Sequence, residues 1–364
     1  MRNFIFVLPL IFLINCTGSD GKKNSSYLQN AAGQPGEIII TMDSAQWHTS
    51  IGVKIREIFS QEMQGLPREE LLFTLRYVDP RKMTSLLKQA KNLIFVTTFD
   101  AKSRGARIVQ NYFTPESAQM IRTDPKYFLS LADDQYAKGQ KVMYLFGQSE
   151  QSLLQNLNDN SQKLIDHFNR VERARLQETL FKKSQKSISK SIKKQMKCDI
   201  DIPYGYEMAL IDSGFVWIRQ MDAEIDKNIF ITYTPYYDRE QFEKDYIIKL
   251  RDSICKKYLY EDRDEMPDSY LVTETEVPFI PVQNRQLNLN GFYCVETRGL
   301  WRTNNHTMGG PFIGITIVDE VLNRLYYVEG FVYSPGKPQR ETVRELETII
   351  HTFRVNEKKK SENQ

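Results

Sequence analysis

Between Glu150 and Met196 the chain runs for 47 residues without a proline or a glycine, and the residues on either side follow different hydrophobic patterns. Such a stretch has no ring-locked residue to remove a helical hydrogen bond and no glycine to loosen one. Leu153, Leu157, Leu164, Phe168 and Val171 keep a helical stripe, which Leu176, Leu180, Ile188 and Ile192 extend more sparsely. The spacing predicts one long helix, or two nearly collinear ones, over 149–197. That helix connects a body at 37–148 to another at 198–355.

The first body alternates strand and helix. Ile38-Ile39-Ile40 is a β-branched run of the kind buried on both faces of a sheet. Asp43 or Ser44 can cap a helix carrying Ile51, Ile55 and Ile58-Phe59. Leu71–Val78 reads as a second strand, and Pro80 opens a second helix with Met83, Leu86, Leu87 and Ala90 on one face. Asn92–Phe99 is a third strand, followed by a helical stretch near Pro115–Ala137 and a strand at Lys141–Phe146. This order predicts an α/β sandwich with a mainly parallel sheet. In the second body, strand-like runs fall at Glu207–Ile211, Phe215–Gln220, Asn228–Thr234, Tyr270–Pro278, Leu289–Trp301, Phe312–Val318 and Leu325–Tyr333. Helical patterns fit Glu240–Tyr258 and Pro338–Phe353. That succession predicts an α+β domain: a mostly antiparallel sheet with helices on one face.

Hydrophobic residues at 41% and charged residues at 26% suit two folded domains, and the net charge of +3 does not suggest a nucleic-acid partner. Phe4–Ile14 is an apolar run of 11 residues behind Arg2, broken only by Pro9, which is too short to span a bilayer as a helix. It reads as an export signal, 1–15. From Thr17 to Gly36 the chain is mostly Gly, Ser, Asn, Lys and Gln with little that is apolar, the composition of a flexible tether at 16–36, and 356–364 reads as a disordered tail. Beyond Cys16, Cys198, Cys255 and Cys294 allow one disulfide with a thiol left over, or three buried and inert thiols; their long spacings suggest no zinc site.

Leu13-Ile14-Asn15-Cys16 followed by Thr17-Gly18-Ser19 resembles the lipobox of bacterial lipoproteins, with Asn15 where that family prefers Gly, Ala or Ser. The resemblance implies cleavage before Cys16 and acylation of its thiol and amine. The expected partner is then the membrane, reached through an N-terminal lipid, in a periplasm-facing cell-envelope location, with another envelope protein as a further expected partner. Three further stretches resemble one uncharacterised bacterial envelope lipoprotein family, a domain of unknown function (number 4837). They are Gly36–Ser44 with Trp47, Asn92–Thr98, and Tyr326–Lys337 followed by Arg340 and Glu345-Leu346-Glu347. That likeness spans about Gly36 to Phe353 and brings no activity or catalytic residue. The element order of the second body loosely resembles the fold of the photosystem PsbP proteins, an analogy of fold alone.

No phosphate loop, G-x-S-x-G elbow or H-E-x-x-H motif is present. His48, His167, His306 and His351 lie in four different elements, so no metal, cofactor or catalytic residue is assigned and enzymatic activity is disfavoured. Trp301, Arg302, Asn304, Asn305 and His306 on one connection form a candidate recognition loop, against which stands a long wet hairpin whose Gly309-Gly310-Pro311 permits the turn. Tyr233, Tyr236 and Tyr237 form a candidate aromatic patch, although half-buried packing is the commoner fate of tyrosines at a strand end. Lys186, Lys190, Lys193 and Lys194 lie in a basic amphipathic stretch that can face lipid headgroups or solvent. The function expected from the whole is binding or scaffolding at the envelope. A ligand-binding or hydrolytic lipoprotein with a site between the domains is the rival.

Overall fold

The computed structural model describes residues 28–262, 264–276 and 280–356; the expected signal 1–15, Cys16 and residues 357–364 lie outside them. The chain forms two units. One holds residues up to Gln61 together with Phe73–Phe168, and the other holds Glu62–Leu72 together with Asn169 onward. The segment 62–72 thus leaves the first body for the second, and the connecting helix is shared, so the units do not follow the boundaries 37–148, 149–197 and 198–355.

The first unit contains β1 (Glu37–Thr41), α1 (Ser44–Trp47), α2 (Ser50–Phe59), β2 (Thr74–Val78), β3 (Asn92–Thr98), α3 (Arg104–Gln110), α4 (Pro115–Thr123), β4 (Leu129–Asp133), β5 (Lys141–Gly147) and the start of α5 (Glu150–Leu180). Its sheet runs β2-β1-β3-β5-β4, parallel except for the antiparallel edge strand β4. Every residue of β3 is buried, as expected for a central parallel strand covered on both faces. Ile39, Leu93, Phe95, Val142 and Tyr144 share one face with Val109 of α3 and Ile121 of α4. Ile38, Ile40, Ile94, Val96 and Met143 point the other way and are also buried. Phe59, Phe73 and Phe168 meet edge to face with centroids 5.7–6.4 Å apart, joining α2, the approach to β2 and α5.

Three expectations for this unit are corrected. The helix expected after Pro80 is two 3-10 turns, Pro80–Lys82 and Leu87–Gln89. Met83 between them is extended, the Thr84 hydroxyl accepts the Leu87 N–H, and the Gln140 amide donates to the carbonyls of Lys88 and Ala90. Side chains therefore take up backbone groups that a helix would have paired. The stretch Pro115–Ala137 is helical only to Thr123, and its second half is β4. The tether is fixed from Gln29: Ala31 N–H donates to Lys138 O, Ala32 N–H to Gln89 O, Lys91 N–H to Ala32 O, and Lys138 N–H to Gln29 O, at 2.8–3.0 Å.

The second unit contains α6 (Lys186–Met196), β6 (Glu207–Asp212), β7 (Phe215–Met221), β8 (Asp226–Pro235), α7 (Lys244–Tyr258), β9 (Tyr260–Asp262), β10 (Met266–Thr273), β11 (Gln283–Leu289), β12 (Phe292–Thr303), β13 (Gly309–Asp319), β14 (Arg324–Tyr333) and α8 (Arg340–Ile350). Its sheet runs β6-β7-β8-β14-β13-β12-β10-β9 with β11 also on β12, and every recorded pairing is antiparallel. The single strand expected over Leu289–Trp301 is the hairpin β11–β12, turned by Asn290-Gly291 at φ +53° and +92°. Asn-Gly is the dipeptide that such a left-handed two-residue turn selects.

Helices cover both faces of this sheet, where one face was expected. Ile188, Ile192 and Met196 of α6 and Val343, Leu346, Ile349 and Ile350 of α8 join one core with Ile229, Ile231, Ile313, Ile315, Tyr326 and Val328. Ile247 and Cys255 of α7 join the other with Phe230, Phe312, Tyr327 and Phe331. Gly330 lets α8 approach closely, since a Cβ there would lie 2.9 Å from that of Leu346. Helix α8 has no side-chain cap of its own; Glu70 accepts the N–H groups of Gln339 and Arg340 at 2.6 and 2.9 Å. A carboxylate at the positive end of the helix satisfies donors that would otherwise be orphaned.

Candidate functional site

Alternation along β12 puts Val295 on the α7 side and Glu296 on the α8 side, in register with Ile315. Helix α8 lays Glu347 and, one turn later, His351 over the same spot. The Glu296, Glu347 and His351 ligand atoms lie within 4.8 Å of one another. His351 Nε2 is 3.3 Å from one Glu296 oxygen, and Arg298 Nε donates to the other at 2.8 Å. Arg298 also reaches Glu347 at 3.0 Å, Arg285 approaches Glu296 at 3.4 Å, and Arg173 of α5 pairs with Glu347.

Burial alone would raise both carboxyls. Arg298, the hydrogen bond from His351, and Arg285 outweigh it and hold Glu296 well below the usual carboxylate range. Arg298 and Arg173 likewise hold Glu347 at about 2. These residue types, two carboxylates and an imidazole, are those that ligate a divalent cation. Here the two negative charges already face the guanidinium groups of Arg173, Arg285 and Arg298. An entering cation would have to displace Arg298 from both carboxylates, so the donor set fits an ion-pair network better than a metal centre.

The opposite face carries another buried ion pair. Arg251 of α7 grips Glu329 of β14 through Nε and Nη2 at 2.8 and 2.9 Å, with both side chains fully buried. Tyr327 donates to Glu329, Arg251 Nη1 donates to the Thr273 hydroxyl at 3.1 Å, and Asp252 accepts from Thr273. Gly314 makes the room, since a Cβ there would lie 2.7 Å from the Tyr327 hydroxyl. Burial raises Glu329 against the pull of Arg251 and Tyr327.

The residues singled out in the sequence do not converge on either cluster. Cys16 lies outside the described residues. Trp301 is buried and donates its indole N–H to Val332 O at 3.2 Å. Arg302 pairs with Glu274 and Glu276, and Asn304 joins the Tyr270 N–H to the Asp268 carbonyl. Asn305 accepts from Thr307, and His306 sits exposed at φ +63°. Trp301, Arg302, Asn304 and Asn305 thus take part in building a hairpin turn. Tyr233 packs on Tyr326 beneath Arg324, Tyr236 packs on Phe242, and Tyr237 is exposed, so no shared aromatic platform forms. Lys186, Lys190, Lys193 and Lys194 are exposed, with Lys193 on Asp199. The apolar face behind them is buried in the core and unavailable to lipid. Cys198, Cys255 and Cys294 are free and buried. Of the histidines, only His351 enters the carboxylate cluster. Sequence reasoning missed Glu296 and Arg298; the signal available was a charged pair two residues apart between the apolar runs Phe292–Val295 and Gly299–Trp301.

No curated protein matches the chain. Among solved structures, the Ran-binding protein Mog1p of Saccharomyces cerevisiae is similar at 10% identity, with a TM-score of 0.27 over 43% of this chain and 89% of that one. A mutant of protein Mog1 is similar at 11% identity, with a TM-score of 0.26 over 43% of this chain and 90% of that one. The likeness read as a single family from Gly36 to Phe353 divides in two. Residues 31–181 match the model of a domain of unknown function, DUF8532, and residues 185–352 match that of another, DUF4837, the family which the stretch Tyr326–Lys337 resembles.

Proposed function

We propose that this protein is a lipid-anchored component of the bacterial cell envelope, facing the periplasm, that acts by binding or scaffolding. The observation that carries the reading is the apolar run Phe4–Ile14 ending two residues before Cys16. No helix among the described residues is long and apolar enough to cross a membrane, so an acylated Cys16 would supply the attachment. Several acyl chains, at about 0.8 kcal/mol per buried CH₂, hold a protein where one chain would not. Binding is favoured over catalysis because Glu296 and Glu347 are engaged with arginines and His351 with Glu296. The test is fractionation and labelled-palmitate incorporation of the chain and its Cys16→Ser variant. The variant is expected to lose the label and leave the membrane fraction. A variant that stays membrane-bound after a high-salt wash refutes the reading.

A further inference from the structure

The point at which the chain joins the first unit is fixed, and it lies at one end of the parallel sheet. Residues 29–32 are clamped between the turn before β3 and the turn before β5 by backbone pairing to Gln89, Lys91 and Lys138. Strands β3 and β5 begin there, and Lys141 N–H donates to Lys91 O across the gap. Twelve residues separate Cys16 from Gln29. Thirteen Cα–Cα steps span at most about 45 Å even when fully extended. An anchor at Cys16 therefore keeps the exit at Gln29 within that distance of the bilayer.

The surface around the clamp has the character such a contact requires. Leu86 is 74% exposed, an unusual setting for a leucine in the 3-10 connection that runs into the clamp. Lys138, whose backbone forms part of the clamp, is exposed next to Gly139, and a Cβ at Gly139 would meet nothing within 4 Å. Lys88 lies over the rings of Tyr112 and Tyr136 at 5.2 and 5.3 Å. Of the acids nearby, Asp133 pairs with Lys141 at 2.6 Å, while Asp134 and Glu37 keep their charge and accept backbone N–H groups, from Gly139 at 2.6 Å and from Gln34 at 3.2 Å. An apolar tip flanked by lysines suits the headgroup boundary, where lysine stems lie along apolar surface and their charges reach phosphate.

We propose that the first unit rests on the phospholipid surface through the edge where its parallel strands begin, with Leu86 and Lys138 turned to the headgroups. This inference depends on the acylation of Cys16. The opposite end of the sheet then faces away. There the Gln148 amide, just past β5, donates to Arg122 O of α4, whose Met120 is 45% exposed.

The test places an environment-sensitive thiol probe at Leu86→Cys, at Lys138→Cys or at Met120→Cys in the acylated chain reconstituted into phosphatidylglycerol–phosphatidylcholine vesicles. Cys198, Cys255 and Cys294 are buried and do not compete for the probe in the folded protein. Flotation with the vesicles is measured first. Chains that float should show several-fold stronger quenching by headgroup-quencher lipid at positions 86 and 138 than at 120. Equal quenching at all three, or the strongest at Met120→Cys, overturns the proposed edge while leaving acylation intact. Chains that do not float refute acylation and this inference together.

Discussion

The two faces of the C-terminal sheet both bury carboxylates beside arginines, and the sequence surroundings drive them in opposite directions. On the α8 face Glu296 and Glu347 share Arg298 and draw on Arg285 and Arg173, which remain 45% and 23% exposed. On the α7 face Glu329 has Arg251 as its one cation, beside the Tyr327 hydroxyl, and neither charged side chain touches water. Desolvation acts on all three acids. Only where several cations converge, some still partly hydrated, does attraction win and the pKa fall; with one buried partner, burial wins and the pKa rises. The number of cations per carboxylate, more than burial itself, separates the two clusters.

That contrast can be broken most directly at Arg251. Arg251→Met leaves Glu329 buried without its cation, and its expected cost is about 3–5 kcal/mol in urea unfolding, largely recovered in the Arg251→Met, Glu329→Leu pair. A cost below about 1 kcal/mol for the single variant would mean that water reaches the pair. The next effect belongs to Glu347→Gln, expected to cost about 1–3 kcal/mol at neutral pH because Arg173 retains solvent. Its pH dependence sharpens the comparison. Glu347 sits at about 2 when folded against an ordinary 4.5, so its contribution is complete above about 4.5 and is lost as pH falls towards 2. Glu329 is raised, so acidification through the range just above 4.5 should favour the fold on that face. The acid limb of stability against pH should therefore lose part of its depth in Glu347→Gln, with Glu296 supplying the rest, and none in Glu329→Gln. Loss in both would show that the two faces titrate as one unit.

Thiols sample the same two faces. Cys255 lies in the α7 core, and Cys198 and Cys294 lie in the α8 core, all held above the usual thiol range chiefly by burial. Alkylation should be absent in the native state and should reach all three on unfolding without reductant. Labelling of Cys255 alone at low urea would show that α7 opens independently. The smallest effect is expected for glutamine at Lys186, Lys190, Lys193 and Lys194 together, within about 0.5 kcal/mol per residue, since only Lys193 makes an ion pair and that pair is exposed.

Periodicity alone fixed the long helix at α5 and the change from parallel to antiparallel pairing. Each follows from neighbours within a turn of helix or the pleat of a strand, and Ile38-Ile39-Ile40 or the Leu153–Phe168 stripe carry that information locally. The Asn290-Gly291 hairpin was also legible in two letters, and reading through it as one strand was an error of interpretation. What the tertiary structure alone decided is how polar groups are satisfied. Glu70 caps a helix 269 positions away, Arg173 meets Glu347 across 174 positions, and His351 reaches Glu296 across 55. No local pattern encodes those distances. The same logic shapes the turn after Trp301: the buried indole N–H and the half-buried Asn304 amide must find partners, and the nearest belong to the protein itself.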